Sequence, residues 1–444
     1  MAGRQRSLVS HSVMRSRSDA HPLGPRASSL RSRAASTNLP HMSSASWLNV
    51  PADSLFGLAN LPYGVFTTAD RSARTGVAIG DYVLDLAAAT GDTVHSTGSL
   101  NGFLARGPKG WAALRERITE WLSNERWQPV IEPHLIPRVD VALQLPIDIA
   151  DYVDFYSSLH HAENLGRMFR PDGPPLTLNW KHLPVGYHGR AGTVQVSGTP
   201  VIRPRGQRKS PAEPAPTFGP SERLDIEAEV GFVVGAVSEP GQPVSVSAFD
   251  QYVFGVCLVN DWSARDLQAW EYVPLGPFLG KSFLTSISPW VVPLAALAAA
   301  RVRPPSREPE PLPYLRDADP WSLDITLEVF VNGTLISRPP FAGMYWTGAQ
   351  QLAHLTVNGA NVRTGDLYAS GTISGPNRNE RGSLIELSWN GTDPIVLSDG
   401  TTRAFLEDGD EVTITATAPG PGGTRIGFGE VTGRIHPALP ADPG

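Results

Sequence analysis

Glycine and proline interrupt this chain at short intervals along most of its length. They number 43 and 41 among 444 residues, together about 19%, against roughly 12% in average usage. Both residues break helices and favour turns, so this abundance argues against a helical bundle and predicts short strands joined by turns and loops. The 41% hydrophobic content is sufficient for a buried core.

The first predicted unit, residues 46–145, is a small β-rich domain. Short strands are expected at 64–68, 75–79 and 82–86, the last two joined by a hairpin turn at Gly80-Asp81. One amphipathic helix is expected next, because apolar residues recur there mostly three or four positions apart: Trp111, Leu114, Ile118, Trp121 and Leu122. Residues 129–146 are predicted to form an extended connector.

The second predicted unit, residues 146–440, consists mainly of strands. Asn332-Gly333 and Asn390-Gly391 lie between apolar runs, where this dipeptide is typical of type I′ hairpin turns. Two proline-rich stretches, 203–220 and 303–313, are predicted to be surface loops.

The N-terminal 45 residues are predicted to be a disordered basic leader. Residues 1–41 contain seven Arg, no Lys and one acid, Asp19. Because this stretch carries a formal charge of +6 and the whole chain −6, the remaining 403 residues carry −12. Such a leader is consistent with an organellar transit peptide, or with a start codon assigned too early, Met42 being the true start. In both cases its lack of hydrophobic periodicity predicts disorder.

The apolar runs, the cysteine count and the charge of the chain argue against several classes of function. No run of about 18 apolar residues exists, so a membrane span is ruled out. The single cysteine, Cys257, excludes a disulfide framework and a thiolate-bound structural zinc, fits a reducing cytosol and is expected in the core. The acidic remainder argues against nucleic-acid binding, which requires clustered Lys and Arg.

Two glutamates lie in a segment that otherwise resembles a buried strand. Glu227 and Glu229 are two positions apart within residues 224–234, so on a strand they point to the same face, about 7 Å apart. Like charges placed side by side are costly unless water or a cation faces them. A solvated strand face is one interpretation, whereas the apolar run at 232–234 favours a hard cation bound by oxygen atoms.

A second polar group follows an apolar strand that ends at Asn260-Asp261. Asp261 is predicted to cap a helix that presents Asp261, Arg265, Gln268 and Tyr272 on one face. An exposed polar stripe remains the alternative, because the sequence does not show that this face meets the two glutamates.

A third group lies within residues 154–161. If this segment is helical, Asp154 and His161 lie two turns apart on one face. A carboxylate there could hold a metal ion while the imidazole moves protons. A purely structural pair is the alternative, and His160 competes for the role of base.

Taken together, these segments resemble the fumarylacetoacetate hydrolase family. The resemblance runs from about Leu48 to Leu439 and rests on long, specific stretches at 60–66, 154–158, 183–190, 260–266, 270–283 and 370–375. It implies a mainly β (α+β) fold. A small N-terminal SH3-like β-barrel domain (46–145) is followed by a larger catalytic domain of mixed β-sandwich or β-roll type (146–440).

The resemblance also implies roles for individual residues. A divalent ion, Ca²⁺ or Mg²⁺, would lie in a region formed by Asp154, Glu227, Glu229, Asp261, Lys281 and Thr285. His161 would be the general base that activates water, oriented by Glu386, while Arg265, Gln268 and Lys281 would stabilise negative charge on the attacked carbonyl. The implied substrate contacts are Tyr156, Arg170, Tyr187, Gln268, Tyr272 and Thr372.

The implied activity is hydrolysis of the C–C bond of 4-fumarylacetoacetate to fumarate and acetoacetate, the last step of tyrosine and phenylalanine catabolism. The implied enzyme is a cytoplasmic homodimer that acts on a small dicarboxylate β-diketone, with no nucleic-acid or membrane partner. Another activity of the same family is the main alternative: an acylpyruvate hydrolase, a decarboxylase or an isomerase. A non-catalytic protein that binds organic acids is a more remote one. The N-terminal domain and the pairing of His161 with Glu386 favour the first activity.

Overall fold

A mixed sheet of thirteen strands runs through the part of the chain that the structure describes. The structure is a computed structural model that describes residues 46–69, 71–210 and 212–440, so the predicted leader (1–45) lies outside the described residues. Ten strands follow one another across the sheet in this order: Leu135–Pro137, Tyr82–Asp85, Arg71–Ile79, Tyr63–Thr68, Trp290–Pro293, Val253–Asp261, Ala228–Val234, Leu367–Ala369, Tyr152–Phe155 and Gly186–His188. Three more pair beside them: Ala142–Gln144, Thr285–Ile287 and Val194–Val196.

The remaining strands form one smaller sheet and several two-stranded ribbons. The smaller sheet has the order Thr334–Ser337, Thr326–Val331, Glu411–Pro419, Arg425–His436 and Val201–Ile202. The ribbons pair Arg205–Arg208 with Thr217–Pro220, Leu224–Asp225 with Ser263–Ala264, Arg301–Val302 with Ser322–Leu323, and Ile395–Val396 with Thr402–Arg403. These sheets confirm the prediction of a mainly β fold.

Helices are few and mostly short. The α-helices of the described residues are Leu86–Thr90, Asn101–Leu104, Gly107–Ser123, Gln128–Ile131, Leu159–Phe169, Phe249–Tyr252, Arg265–Glu271, Gly348–Thr356 and Leu384–Leu387. Gly107–Ser123 confirms the amphipathic helix, since the apolar residues of its predicted stripe are all buried. Within the described residues, no helix has the length and apolar character needed to cross a membrane.

The two central strands, Ala228–Val234 and Val253–Asp261, are buried on both faces. Alternate residues contribute to two hydrophobic clusters: Val256 and Leu258 pack into one, and Cys257 and Val259 into the other. This explains why these strands appear in the sequence as continuous apolar runs rather than alternating ones. A charged side chain on either strand is therefore buried in the interior.

The N-terminal strands continue the main sheet instead of standing apart from it. Tyr63 lies opposite Val291 and Gly64 opposite Trp290, which joins Tyr63–Thr68 to the strand Trp290–Pro293. The segment 129–146, predicted to be an extended connector, is extended in two short strands that pair within this sheet, but it also contains short helical turns, which the prediction missed. Its backbone satisfies its hydrogen bonds by pairing with the neighbouring strands.

Two of the three predicted hairpin turns are confirmed. Gly80-Asp81 joins Arg71–Ile79 to Tyr82–Asp85. Asn332-Gly333 joins the strands that end at Val331 and begin at Thr334, and both of its residues have positive φ, as a type I′ turn requires. Asn390-Gly391 also has positive φ at both residues, but it follows the helix Leu384–Leu387 and joins no paired strands. Asn and Gly tolerate the left-handed backbone conformation in any loop, so the prediction of a hairpin turn at Asn390-Gly391 was wrong.

The two proline-rich stretches differ from each other. Residues 203–220 form the ribbon Arg205–Arg208 with Thr217–Pro220, so the prediction of a loop was wrong for its two ends. Residues 303–313 contain no strand or α-helix, as predicted. Pro220 lies at the end of its strand, opposite Arg205, and a strand at the edge of a two-stranded ribbon tolerates proline there.

Replacing Gly255 by Ala is expected to destabilise the central strand. An added Cβ would collide with the backbone carbonyl oxygen of Val292 on the neighbouring strand, where neither backbone can yield freely. We expect a loss of about 1–3 kcal/mol in the free energy of unfolding, measured by chemical denaturation. Gly192→Ala is the control, because a Cβ there meets nothing within 4 Å. Equal stabilities for the two variants would contradict this account.

Candidate active site

Strand pairing brings together three carboxylates that are far apart in the sequence. Asp154 lies opposite Ala369, and Ala369 lies opposite Gly231 on the strand that carries Glu229. Asp261 ends the adjacent strand, Val253–Asp261. Oxygen atoms of Asp154, Glu229 and Asp261 lie within 4.8 Å of one another, and all three residues are buried. We call this group the acidic triad.

Arg190 neutralises two members of the acidic triad. Its Nη2 lies 2.7 Å from Asp154 Oδ2 and 2.8 Å from Asp261 Oδ2, and its side chain is only 3% exposed. Tyr187 Oη also donates to Asp154 Oδ2 at 2.9 Å. Thr285 Oγ1 lies 3.5 Å from Asp261 Oδ1 and accepts from Arg190 Nε at 3.3 Å.

Glu229 has no such neutralising partner. Its Oε2 accepts a hydrogen bond of 3.0 Å from the Gly371 amide, and it forms no ion pair with any described residue. Burial, together with the negative charges of Asp154 and Asp261, raises its pKa well above the usual range. Burial likewise raises the pKa of Asp261 to about 7, although Arg190 and Lys281 act in the opposite direction.

The residues of the triad fit a divalent cation. Asp154 Oδ1 and Glu229 Oε1 are buried and have no hydrogen-bond partner among the described residues, which is costly unless something else satisfies them. Oxygen atoms are the ligands that Ca²⁺ and Mg²⁺ prefer. The acidic triad can therefore hold a metal ion, which would neutralise the one carboxylate that lacks a cationic partner.

Glu227 lies beside the triad but is held by other cations. Its Oε2 pairs with Lys281 Nζ, which also pairs with Asp261 Oδ2, and its Oε1 lies 2.7 Å from Arg265 Nη2. Burial would raise the pKa of Glu227, but the positive charges of Arg265 and Lys281 outweigh burial and hold that pKa well below its usual range. Glu227 is therefore an anion that carries its own counter-charges.

A buried histidine–carboxylate pair lies next to Glu227. His161 Nδ1 is 2.6 Å from Glu386 Oε2, and His161 Nε2 is 3.9 Å from Glu227 Oε1. With the ionised carboxylate accepting from Nδ1–H, the Nε2 atom is left free to accept a proton. Tyr156 packs edge-on against the imidazole, at 5.3 Å between ring centroids.

Three further side chains fix the Glu386 carboxylate. Its Oε1 accepts from Asn164 Nδ2 at 2.9 Å, and its Oε2 accepts from Ser374 Oγ at 2.9 Å and Ser383 Oγ at 2.7 Å. Burial opposes ionisation of Glu386, but His161 and these hydrogen bonds hold its pKa below the usual value. Glu386 thus remains an ionised, immobile acceptor for His161.

Two local predictions about these residues were wrong. Asp154 lies on the strand Tyr152–Phe155 and His161 on the helix Leu159–Phe169, so they do not share one helix. Ser158 ends the extended segment by capping that helix, its Oγ accepting from the His161 amide. Asp261 belongs to a strand and caps nothing, because the next helix begins at Arg265 after Ala264. Tertiary packing, not helical periodicity, brings these side chains together.

The predicted substrate-contacting residues lie in different surroundings. Thr372 is buried, its Oγ1 has no hydrogen-bond partner among the described residues, and it follows the Gly371 amide that binds Glu229. Gln268 Oε1 accepts from Arg265 Nη1 at 3.2 Å. Arg170 and Tyr272 are exposed. In the part of the chain that the structure describes, no hydrogen bond or ion pair joins the side chains of these two residues to the acidic triad.

Several residues of this cluster have no role predicted from the sequence. Arg190 bridges two triad carboxylates, Asn164 binds Glu386, and Asp225 binds Arg265 Nε at 2.7 Å. Arg190 lies within the stretch 183–190, but no local pattern marks it, because it adopts a left-handed backbone conformation in a loop. Only three-dimensional contacts identify these residues.

A histidine held by a carboxylate, next to buried acids that can hold a cation, is typical of hydrolytic enzymes. Comparison with known proteins agrees. Residues 151–436 match the model of the fumarylacetoacetate hydrolase C-terminal region, and residues 59–146 match that of the fumarylacetoacetase N-terminal region. The chain therefore belongs to the fumarylacetoacetate hydrolase family.

Curated relatives match nearly from end to end. The fumarylacetoacetases of Rattus norvegicus and Homo sapiens are each 48% identical to the chain over 416 residues, which cover 89% of this chain and 99% of theirs. That of Oryza sativa is 44% identical over 423 residues, covering 89% and 98%. Among solved structures, a fumarylacetoacetate hydrolase of Exiguobacterium antarcticum superposes with a TM-score of 0.52 at 18% identity, covering 85% of this chain and 99% of that one. That likeness supports the fold alone.

Ca²⁺ or Mg²⁺ is expected to raise the melting temperature of the protein. An ion at 100 times its Kd stabilises the folded state by about 2.7 kcal/mol, and Glu229→Gln should remove most of this effect because it removes a ligand charge. Glu411→Gln, which alters only an exposed ion pair with Arg434, should retain the full shift. Thermal denaturation with and without a chelator measures it, and a wild-type protein indifferent to both would contradict the metal site.

Proposed function

We propose that this chain hydrolyses the C–C bond of 4-fumarylacetoacetate to give fumarate and acetoacetate. The observation that carries the proposal is the His161–Glu386 pair beside the acidic triad. Its presence in a chain that is 48% identical to curated fumarylacetoacetases supports this substrate over those of other family members. The alternative of a non-catalytic protein that binds organic acids is disfavoured, because binding alone does not require a histidine held in place by a carboxylate.

The reaction adds water across one C–C bond. The hydroxyl joins the carbonyl carbon that becomes a carboxyl group of fumarate, and the released CH₂ carbon takes a proton to become the methyl group of acetoacetate. His161 Nε2 would accept the proton of the attacking water, since Nδ1 is already bound to Glu386. The same imidazole could then return that proton to the leaving carbon.

Negative charge develops on the attacked carbonyl oxygen and then on the leaving enolate. We assign its stabilisation to Arg265, Gln268 and Lys281, and donors of this kind are typically worth about 3–4 kcal/mol each. Arg265 and Lys281 are buried cations in contact with Glu227, so little solvent would have to reorganise during the reaction.

We propose that Asp154, Glu227, Glu229 and Asp261 would hold the metal ion, with Lys281 and Thr285 bordering the site. Glu227 is paired with Arg265 and Lys281 in this structure, so it would have to exchange one of these partners for the ion. When bound, a divalent ion polarises a diketone oxygen and lowers the energy of the enolate. We propose Ca²⁺ or Mg²⁺ because every candidate ligand is an oxygen atom. Tyr156, Arg170, Tyr187, Gln268, Tyr272 and Thr372 are proposed to contact the substrate, Arg170 by pairing with a terminal carboxylate.

We further propose that the enzyme is a cytoplasmic homodimer whose catalytic domain begins near residue 146. A single cysteine, buried and free, is in keeping with a reducing compartment. The two family models match residues 59–146 and 151–436, which supports a division between 46–145 and 146–440.

The direct test is turnover of fumarylacetoacetate compared with an acylpyruvate, using residues 42–444 and the full chain. We expect fumarylacetoacetate to be the preferred substrate by kcat/KM, and a chelator to suppress its turnover. Preference for the acylpyruvate would replace the proposed substrate with another of the same family. No turnover of either compound with added Ca²⁺ or Mg²⁺ would refute the enzymatic assignment.

His161→Gln should reduce kcat by about 10²–10⁴-fold, the usual contribution of a general base. His160→Gln is the matched control, because His160 lies next in the sequence but forms no described contact with Glu386. Melting temperatures establish that both variants are folded. Loss of activity in His160→Gln with retention in His161→Gln would transfer the base role to His160.

A further inference from the structure

We propose that Asp225 is a positioning residue that fixes both Arg265 and the short helix that carries Glu386. The roles of those two residues rest on the proposed function. Asp225 is fully buried and follows Leu224 on a two-residue strand, immediately before the segment with Glu227 and Glu229. It contacts neither His161 nor the acidic triad in any described hydrogen bond, so its effect on the reaction must pass through other groups.

Four donors converge on the Asp225 carboxylate. Its Oδ1 accepts from the amides of Ile226 and Leu384, both at 2.7 Å. Its Oδ2 accepts from Arg265 Nε at 2.7 Å and from the Ile385 amide at 3.1 Å. Both oxygens therefore make two hydrogen bonds each, which holds the carboxylate rigidly and offsets the cost of burying it.

The bond to Arg265 determines where its guanidinium points. A guanidinium is planar, so fixing Nε to Asp225 also sets the directions of the two terminal nitrogens. Nη2 is then 2.7 Å from Glu227 Oε1, and Nη1 donates to Gln268 Oε1 at 3.2 Å. Without Asp225 the guanidinium could rotate away from the position proposed for the developing oxyanion.

The hydrogen bonds from the Leu384 and Ile385 amides to Asp225 take the place of a helix cap. The first amides of a helix have no partner within it, and Ser383, which precedes Leu384–Leu387, makes no side-chain cap. Ser383 Oγ donates instead to Glu386 Oε2. Asp225 takes over the capping of Leu384 and Ile385, which fixes the turn of helix that carries Glu386. One carboxylate thus aligns the oxyanion-stabilising arginine with the residue that orients the base.

Asp225→Asn tests the proposal, because the amide nitrogen of Asn cannot accept a hydrogen bond and replaces one of the two carboxylate oxygens. In either orientation of the Asn amide, two of the four hydrogen bonds are lost, including one to Leu384 or Ile385. We expect kcat to fall about 10²-fold, the cost of misplacing a catalytic group by about 1 Å, with a much smaller change in KM. In an Arg265→Gln background the same substitution should reduce kcat by a clearly smaller factor. The reason is that Arg265, one of the two groups through which Asp225 acts, is already absent. Hydrogen exchange of the amides in Leu384–Leu387 should become faster in Asp225→Asn.

Asp85→Asn is the matched control. Asp85 is also buried, binds Arg74 Nε at 2.6 Å and caps the Ala88 amide, but it lies among the N-terminal strands. It should lower the melting temperature while leaving kcat and exchange at Leu384–Leu387 unchanged. If Asp225→Asn does not fold, Asp225→Glu retains the charge and both acceptors and should show a partial loss of turnover and of exchange protection.

The outcomes separate this proposal from the proposed function. Equal reductions of kcat in the wild-type and Arg265→Gln backgrounds, or unchanged exchange at Leu384–Leu387, would overturn the positioning role. Wild-type values of both in Asp225→Glu would do the same, because a longer side chain cannot reproduce four short hydrogen bonds. If the wild-type enzyme does not hydrolyse fumarylacetoacetate, the proposed function fails, and the exchange measurement still decides whether Asp225 holds the helix.

Discussion

The pairing of buried carboxylates with buried cations holds the centre of this molecule together. Burying an ion costs several kcal/mol even after relaxation, and this cost is met here by arginine and lysine side chains that each bridge two acids. Arg190 joins Asp154 to Asp261, and Lys281 joins Asp261 to Glu227. Removing one partner would leave an uncompensated charge in the interior, so the site behaves as one unit and not as separate pairs.

The pairing of carboxylates with cations is incomplete at Glu229, and this indicates where a ligand would bind. Glu229 forms no ion pair with any described residue, and one of its oxygens and one of Asp154 lack a hydrogen-bond partner. Elsewhere in the cluster each carboxylate is satisfied by several donors. Glu229 Oε1 and Asp154 Oδ1 are therefore the atoms that a bound ligand would satisfy. Because they are carboxylate oxygens, a hard divalent cation is the ligand that fits them.

The sheet makes this arrangement possible because its central strands are buried on both faces. The strands of Glu229 and Asp261 are neighbours, about 4.8 Å apart, and the strand Leu367–Ala369 alone separates the Glu229 strand from the strand of Asp154. The three carboxylates therefore meet although more than a hundred residues separate Asp154 from Asp261. His161 and Glu386 come from helices outside the sheet. The strands thus carry the charged centre, while two helices carry the His161–Glu386 pair. Asp225 connects the helix Leu384–Leu387 to Arg265.

The sequence by itself determined the strand-rich fold, the helix Gly107–Ser123, two hairpin turns and the concentration of acids around Glu227, because these follow from local spacing and turn chemistry. It wrongly placed Asp154 on one helix with His161, because a spacing of seven residues also fits two helical turns. It wrongly made Asp261 a helix cap, because a polar residue at the end of a strand has the same local pattern as a cap. Only the tertiary structure revealed the contacts of Arg190, Asn164 and Asp225 with the other charged residues of this cluster. Their partners are distant in the chain, and long-range contacts between charged groups leave no periodicity in the sequence.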